Sequence, residues 1–317
     1  MTTSQLHVVF GTGPLGRSVA NELVRRGHSV RVVSRSGVMA EAPQGVELVA
    51  GDLYNPSVVR ELTQGAAVAY QCSQPHYHEW PQKFPPLQAA IIDGLAGNST
   101  MLVIGENLYM YGDTGGKPLT EDLPYAAHTR KGQVRAAMAQ AALDAHKAGK
   151  VPVAIGRGSD FFGPWALGSS HGDRVFYPAL AGKGASFVGR LDLPHTATYI
   201  EDFGRALVVL GEREEALGRA WHVPNDRPQI TQRQFAELVF AEIGQPAKVS
   251  AMGKTMLRLG GLFIPAARES IEMLYEFDKP FVVDSSQFER TFGPKATPIE
   301  EAIKATVAWY RAHPQAN

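Results

Sequence analysis

The sequence predicts an α/β fold, a doubly wound parallel sheet followed by a smaller covering lobe. Three observations carry this: short apolar runs alternate with longer amphipathic ones through the first half, glycines stand where helices must end, and the texture changes after residue 163. Leu6–Phe10 reads as a buried strand, Gly11–Gly16 as a glycine turn and Arg17–Arg26 as a helix closed by Gly27. Val30–Val33 and Val46–Val49 follow as strands, then a helix over Pro56–Gln64 ending at Gly65. Ala66–Tyr70 and Met101–Ile104 read as strands around a helix at Leu87–Leu95, and the alanine-rich helix Gln133–Lys147 leads into the strand Val151–Ile155. Such alternation suits right-handed βαβ units with both sheet faces covered. From Gly163 to Pro194 the chain is rich in Gly, Ser and Pro. A helix at Glu201–Leu210, a strand at Ala220–Val223 and a helix at Thr231–Ile243 come next, and the last third reads as mainly helical. The division expected is 1–163 with 196–222 returning to it, against a lobe of 164–195 and 223–317.

Charge narrows the classes of partner. Lys plus Arg and Asp plus Glu balance at 31 each, with no block of like sign, so a nucleic-acid partner has no support. The 44% hydrophobic content suits a folded core, and no apolar run approaches a membrane span. Cys72 is the only cysteine, so no intrachain disulfide is available. The segment before Phe10 has no basic-then-apolar leader pattern, and a cytoplasmic location is expected.

The turn Gly11-Thr12-Gly13-Pro14-Leu15-Gly16 has G-x-G-x-x-G spacing between a strand and a helix, the context in which that spacing means a Rossmann-type dinucleotide site. A pyrophosphate would meet unpaired N–H groups at the positive end of the helix. NAD sites place an acid at the end of the second strand, whereas this chain has Ser34-Arg35-Ser36 there. Arg35 suits a 2′-phosphate and the flanking hydroxyls can donate to it, so NADP(H) is the expected cofactor. Asp52 is placed either to hold the adenine amino group or simply to cap a helix.

Together these residues resemble the extended short-chain dehydrogenases/reductases of epimerase/dehydratase type, over nearly the whole chain. The resemblance rests on the glycine turn, Gly51-Asp52-Leu53, Tyr70-Gln71-Cys72-Ser73, Met110-Tyr111-Gly112 with Leu119-Thr120-Glu121-Asp122, Arg157 to Pro164, His195 to Asp202, and Val283-Asp284-Ser285-Ser286. It implies cofactor contacts at Leu53, Gln71, Cys72, Ser73, Gly158 and Ser159, and a Ser/Tyr/Lys set for proton transfer. At those three positions this chain has Asn107, Lys131 and Arg135. It therefore resembles an atypical subgroup with an intact cofactor turn and a remodelled catalytic set.

The remaining chemistry gives the site candidates. Asn107 can polarise a carbonyl oxygen, Tyr109 or Lys131 can donate a proton, and Arg135 can hold the nicotinamide ribose. Asp160 stands at the family's substrate-contacting asparagine, with Phe161, Phe162 and Trp165 expected as an apolar wall, His195 nearby and Gly168–Gly172 as a mobile lid. His76, His78 and Glu79 near Cys72 suggest a metal but lack a partner motif, so no metal is expected. Two functions stay open: an NADP(H)-dependent oxidoreductase acting on a small carbonyl or alcohol, and a non-catalytic NADP(H) sensor. A homodimer through the Leu87–Leu95 and Gln133–Lys147 helices is expected by analogy alone.

Overall fold

A computed structural model describes residues 4–253, 256 and 271–315. Seven strands form one parallel sheet: β1 (Leu6–Phe10), β2 (Ser29–Ser34), β3 (Glu47–Ala50), β4 (Ala66–Gln71), β5 (Met101–Glu106), β6 (Val153–Arg157) and β10 (Ala220–His222). Their order across the sheet is β10-β6-β5-β4-β1-β2-β3, with every pair parallel. The first six follow the Rossmann order, and the direction of winding reverses between β1 and β4, where a crevice opens at the carboxyl ends of the strands.

Period-two alternation sorts the strand residues between two cores. Val9, Val68, Val103 and Ala154 point to the face covered by α1 (Pro14–Arg25) and α6 (Ile200–Gly211). Val8, Phe10, Ala69, Leu102, Ile104 and Ile155 point to the face covered by α2 (Pro56–Leu62), α3 (Trp80–Leu95) and α4 (Arg130–Lys147). Full burial of each large apolar side chain contributes about 1.5–3 kcal/mol, so both layers are strongly held. A Cβ on Gly204 would lie 2.1 Å from the Ser18 hydroxyl, so a larger residue there would push α6 away from α1.

Three helices begin three or more residues earlier than the sequence predicts, α1 at Pro14 in place of Arg17 being the first. α3 starts at Trp80, seven residues before the Leu87 start that the sequence predicts, and runs through Pro85 and Pro86. Packing of Trp80 and Phe84 into the core outweighs the backbone bonds those prolines remove. α4 starts at Arg130, where the Thr129 hydroxyl accepts from the Gly132 amide as an N-cap.

The lobe has its own core. Phe162, Phe176, Phe187, Phe235, Phe240 and Tyr310 pack together from α5 (Asp173–Leu180), β8 (Ala185–Val188), α7 (Gln232–Ile243) and the helix Ile299–Ala312. Two short parallel pairs serve it, β7 (Asp160–Phe162) with β9 (Ala197–Tyr199), and β8 with β11 (Val249–Met252). α5 and β8 lie in the Gly/Ser/Pro-rich stretch where only short periodic pieces are legible. Among the described residues, no helix is long and apolar enough to cross a membrane.

Candidate functional site

A cavity of about 1580 Å³ runs from the glycine turn, past the ends of β1, β4, β5 and β6, to the lobe. Ordinary ligand pockets occupy about 300–1,000 Å³, so this one has room for a dinucleotide and a second molecule together.

At the sheet end the cavity is lined by Gly11, Thr12, Gly13, Pro14 and Leu15, then by Ser34, Arg35, Asp52, Leu53, Cys72 and Ser73. Gly11 has φ +115°, and a Cβ there would lie 2.9 Å from the Ser73 amide nitrogen, so both conformation and space require glycine. A Cβ on Gly13 would meet nothing within 4 Å, which leaves the backbone open to a ligand. α1 has no side-chain cap at Gly13, and its first N–H groups face this opening unpaired by any side chain. Gly16 lies behind the turn, where a Cβ would strike the Gly11 carbonyl at 2.1 Å; it permits the turn without lining the cavity.

Arg35 is exposed at the rim and makes no hydrogen bond or ion pair among the described residues. Its neighbour Arg31 is committed to Glu47 at 2.8 Å. The Ser34 hydroxyl accepts from the Gly37 amide at 3.1 Å, and Ser36 lies off the cavity, accepting from Val38. Asp52 lines the cavity while its Oδ1 accepts from the Tyr54 amide at 3.0 Å, so it does turn-capping work whatever else it touches. Burial pushes the Cys72 thiol up, so it is no nucleophile. The Ser73 hydroxyl is buried without a partner at the cavity wall, a polar atom left for a ligand. Gln71 does not line the cavity: it stands on β4 between β1 and β5 with its side chain buried and both amide atoms without a partner.

In the middle stand Asn107, Tyr109, Arg135, Gly158 and Ser159. β5 ends at Glu106 and Tyr109–Tyr111 form a 3-10 turn, so strand alternation does not bring Asn107 and Tyr109 to one face. The turn does so instead, with Asn107 Oδ1 accepting from the Tyr109 amide at 3.4 Å and its Nδ2 remaining as the donor end. Tyr109 is held well above the usual phenol range by burial and by Tyr77, whose hydroxyl lies 3.5 Å away. Arg135 is 1% exposed and paired with Glu106 at 3.2 Å, and its Nε is buried without a partner. Ser159 spends its hydroxyl on the Thr196 carbonyl and its amide on Thr198, so its contribution is backbone position.

Lys131 is placed elsewhere. It is fully buried, does not line the cavity, and has its ammonium 3.1 Å from Glu272 and 4.5 Å from the Tyr77 ring centre. Tyr111 is core too, bonded to His222 Nε2 at 2.8 Å and to Arg157 at 2.6 Å.

The lobe end differs from expectation at several residues. Asp160 and Phe161 line it, but Phe162 turns into the lobe core against Phe235. Trp165 has φ +65° and lies over Arg17 at 3.8 Å, with Trp309 5.1 Å away. It ties the loop to α1 instead of walling the cavity. The Gly168–Gly172 run is a bonded turn: Gly172 donates to the Ser169 carbonyl at 3.1 Å, and Ser169 donates to the Phe161 carbonyl. Gly168, Ser169 and Ser170 do line the cavity. His195 lies behind Asp160, 2% exposed, its Nε2 2.7 Å from Asp160 Oδ2.

Sequence reasoning missed Tyr77, Trp80, His171 and Glu276. Glu276 lines the cavity, 3% exposed, and burial together with the charge of Asp160 pushes its carboxyl well up. His171 stacks on His195 and is held down to about 3 by burial and by that neighbour. Its one legible signal is a histidine in an otherwise small-residue run. Among the described residues, Asp160, His171 and His195 are the one group of three possible metal ligands; His76, His78 and Glu79 do not form one.

The unpartnered Ser73 hydroxyl, the open space at Gly13, the uncapped α1 and the unpartnered Arg135 Nε fit a dinucleotide laid along the sheet end. When bound, a nicotinamide dinucleotide supplies or accepts a hydride.

Residues 2–84 match the model of the NmrA-like family. No curated protein matches the chain. Among solved structures, the chain is similar to the epimerase Mth375 of Methanothermobacter thermautotrophicus, with a TM-score of 0.79 at 15% identity, covering 98% of this chain and 93% of that one. It is similar to the dTDP-glucose 4,6-dehydratase of Bacillus anthracis in complex with NAD (TM-score 0.77, 14% identity, 98% and 97% covered). It is also similar to the UDP-glucuronic acid 4-epimerase of Bacillus cereus in complex with UDP-glucuronic acid and NAD (TM-score 0.77, 15% identity, 98% and 100% covered). The chain thus carries the NmrA-like pattern over its first quarter and, over nearly its whole length, has the fold of the epimerase/dehydratase-type extended dehydrogenases/reductases.

Proposed function

We propose that this protein is an NADP(H)-dependent oxidoreductase that reduces a small carbonyl compound. The observation that carries the reading is the single cavity, in which a dinucleotide-shaped sheet end opens directly onto Asn107 and Tyr109. Asn107 Nδ2 polarises the carbonyl oxygen, and Tyr109 protonates the alkoxide left by hydride addition. A phenol held above its usual range still gives its proton to an alkoxide, which is far more basic. Arg35, uncommitted at the rim with no carboxylate at the end of β2, selects the 2′-phosphate.

Screening aldehydes, ketones and enones with NADPH tests this, followed by Asn107→Ala and Tyr109→Phe on any substrate found. Loss of the donor should lower the rate by roughly 10²–10⁴ and loss of the polarising amide by about 10²–10³. Tight NADPH binding with no turnover across the panel would give the lead to the sensor reading.

A further inference from the structure

Three residues at the lobe end serve no purpose in the reduction just described. Asp160 comes from β7, His171 from the turn before α5, and His195 from the segment before β9. They lie 11 and 24 positions apart in sequence (171 − 160 and 195 − 171), yet one ligand atom of each falls within 4.8 Å of the others. His171 is 0% and His195 2% exposed, so both imidazoles are removed from water. His171 Nδ1 meets the Ser170 hydroxyl at 2.9 Å and His195 Nε2 meets Asp160, but His171 Nε2 and His195 Nδ1 have no hydrogen-bond partner. Burying a ring nitrogen unpaired is costly, and each of these two imidazoles carries one such nitrogen.

We propose that Asp160, His171 and His195 form a site for one first-row divalent metal ion, zinc in the first instance. Two imidazoles and one carboxylate are a donor set that suits such ions, with the fourth position left for water or substrate. The two imidazole ring centres are 5.5 Å apart. Two imidazoles sharing one tetrahedral ion at about 2.0–2.1 Å per Zn–N bond have ring centres roughly 5 Å apart. Their donor atoms would be about 3.3 Å apart in that geometry, so a set now within 4.8 Å closes by at most about 1.5 Å around an ion. The shell is apolar: Phe277 and Phe281 stack on His195 at 4.7 and 5.2 Å, and Phe187 and Phe235 pack against His171. Only Asp160 of the three lines the cavity, so the open position faces it. Resting on the reduction reading, the ion would hold an oxygen of the substrate, which favours substrates with a second oxygen beside the carbonyl.

Untagged full-length protein, stripped with chelator and dialysed, should be titrated with Zn²⁺ by calorimetry and with Co²⁺ by visible absorption. The expected result is one ion per chain and a Co²⁺ spectrum of low-coordinate N/O ligation. Asp160→Asn, His171→Gln and His195→Gln should each weaken binding at least tenfold while keeping the circular dichroism of the parent. No stoichiometric uptake, or uptake undiminished in all three variants, overturns the proposal. If a variant does not fold, the Co²⁺ spectrum of the parent chain decides alone. NADPH binding is measured on the same samples: its absence with metal uptake retained would sink the reduction reading and leave the metal site standing.

Discussion

Two buried polar clusters flank the cavity, and they differ in what holds them: paired full charges in the first, a carboxylate beside two imidazoles in the second. In the first, Glu106 is paired with both Arg135 and Arg157, at 3.2 and 3.1 Å, and Arg157 also donates to the hydroxyls of Tyr111 and Tyr125. In the second, Asp160 meets His195 while a nitrogen on each of two imidazoles stays unpaired. The first occupies the ground where the resembled family keeps part of its catalytic set, and it is organised to hold charge inside the fold. The second joins Asp160 and His195, which the sequence offers as substrate-site candidates, to His171, which it does not, and its two unpaired imidazole nitrogens leave it open to a ligand. A buried network whose opposite charges are paired stabilises one structure, whereas a carboxylate set between two imidazoles that each keep an unpaired nitrogen marks a site.

The largest expected effect breaks the first cluster. Glu106→Gln leaves two buried guanidiniums without a counter-charge and should destabilise by about 3–5 kcal/mol in urea unfolding. Asp160→Asn keeps an acceptor for His195 and, in metal-free protein, should cost less than about 1 kcal/mol. Equal losses would show that the two clusters are not different in kind.

Next is the response to acid. His222, bonded to Tyr111 and to the Asp284 carbonyl, is lowered to about 4 by burial and by the charge of Arg157. A histidine whose folded value lies below its unfolded one favours the fold above about 6.5, and that advantage is lost as pH falls through about 4. His222 should therefore contribute up to about 3 kcal/mol of acid-sensitive stability. His7, lowered to about 4 by burial and by His28, should add a share from outside the cluster. Melting curves between pH 7 and pH 4 measure the decline, and His222→Gln should flatten part of it. A slope unchanged by His222→Gln would remove this residue from the account.

The smallest effect lies at the far rim. Arg35→Ala should weaken NADPH about tenfold or more, from a charge-assisted contact of roughly 1.5–3 kcal/mol, and leave NADH nearly unchanged. Competitive titration of the two cofactors checks this, and equal weakening of both would show that Arg35 reads no phosphate.

The sequence by itself determined the nucleotide half. A strand of period two, a glycine turn and a helix of period 3.6 are local patterns, and Gly11 at φ +115° is required by the backbone within a few residues of itself. The missing acid after β2 and the arginine in its place were legible for the same reason. Tertiary structure alone decided the rest. Phe162 and Trp165 looked like cavity wall but follow the lobe core and Arg17, because packing partners come from distant segments. Lys131, in the first turn of α4 and two residues before the start that the sequence predicts, faces Glu272 across 141 positions of sequence. Asp160, His171, His195 and Glu276 share no local pattern at all. They meet because β7, the turn before α5, the approach to β9 and the segment after residue 271 converge on one end of the cavity. Such convergence is set by the packing of whole layers, which no short window of sequence contains.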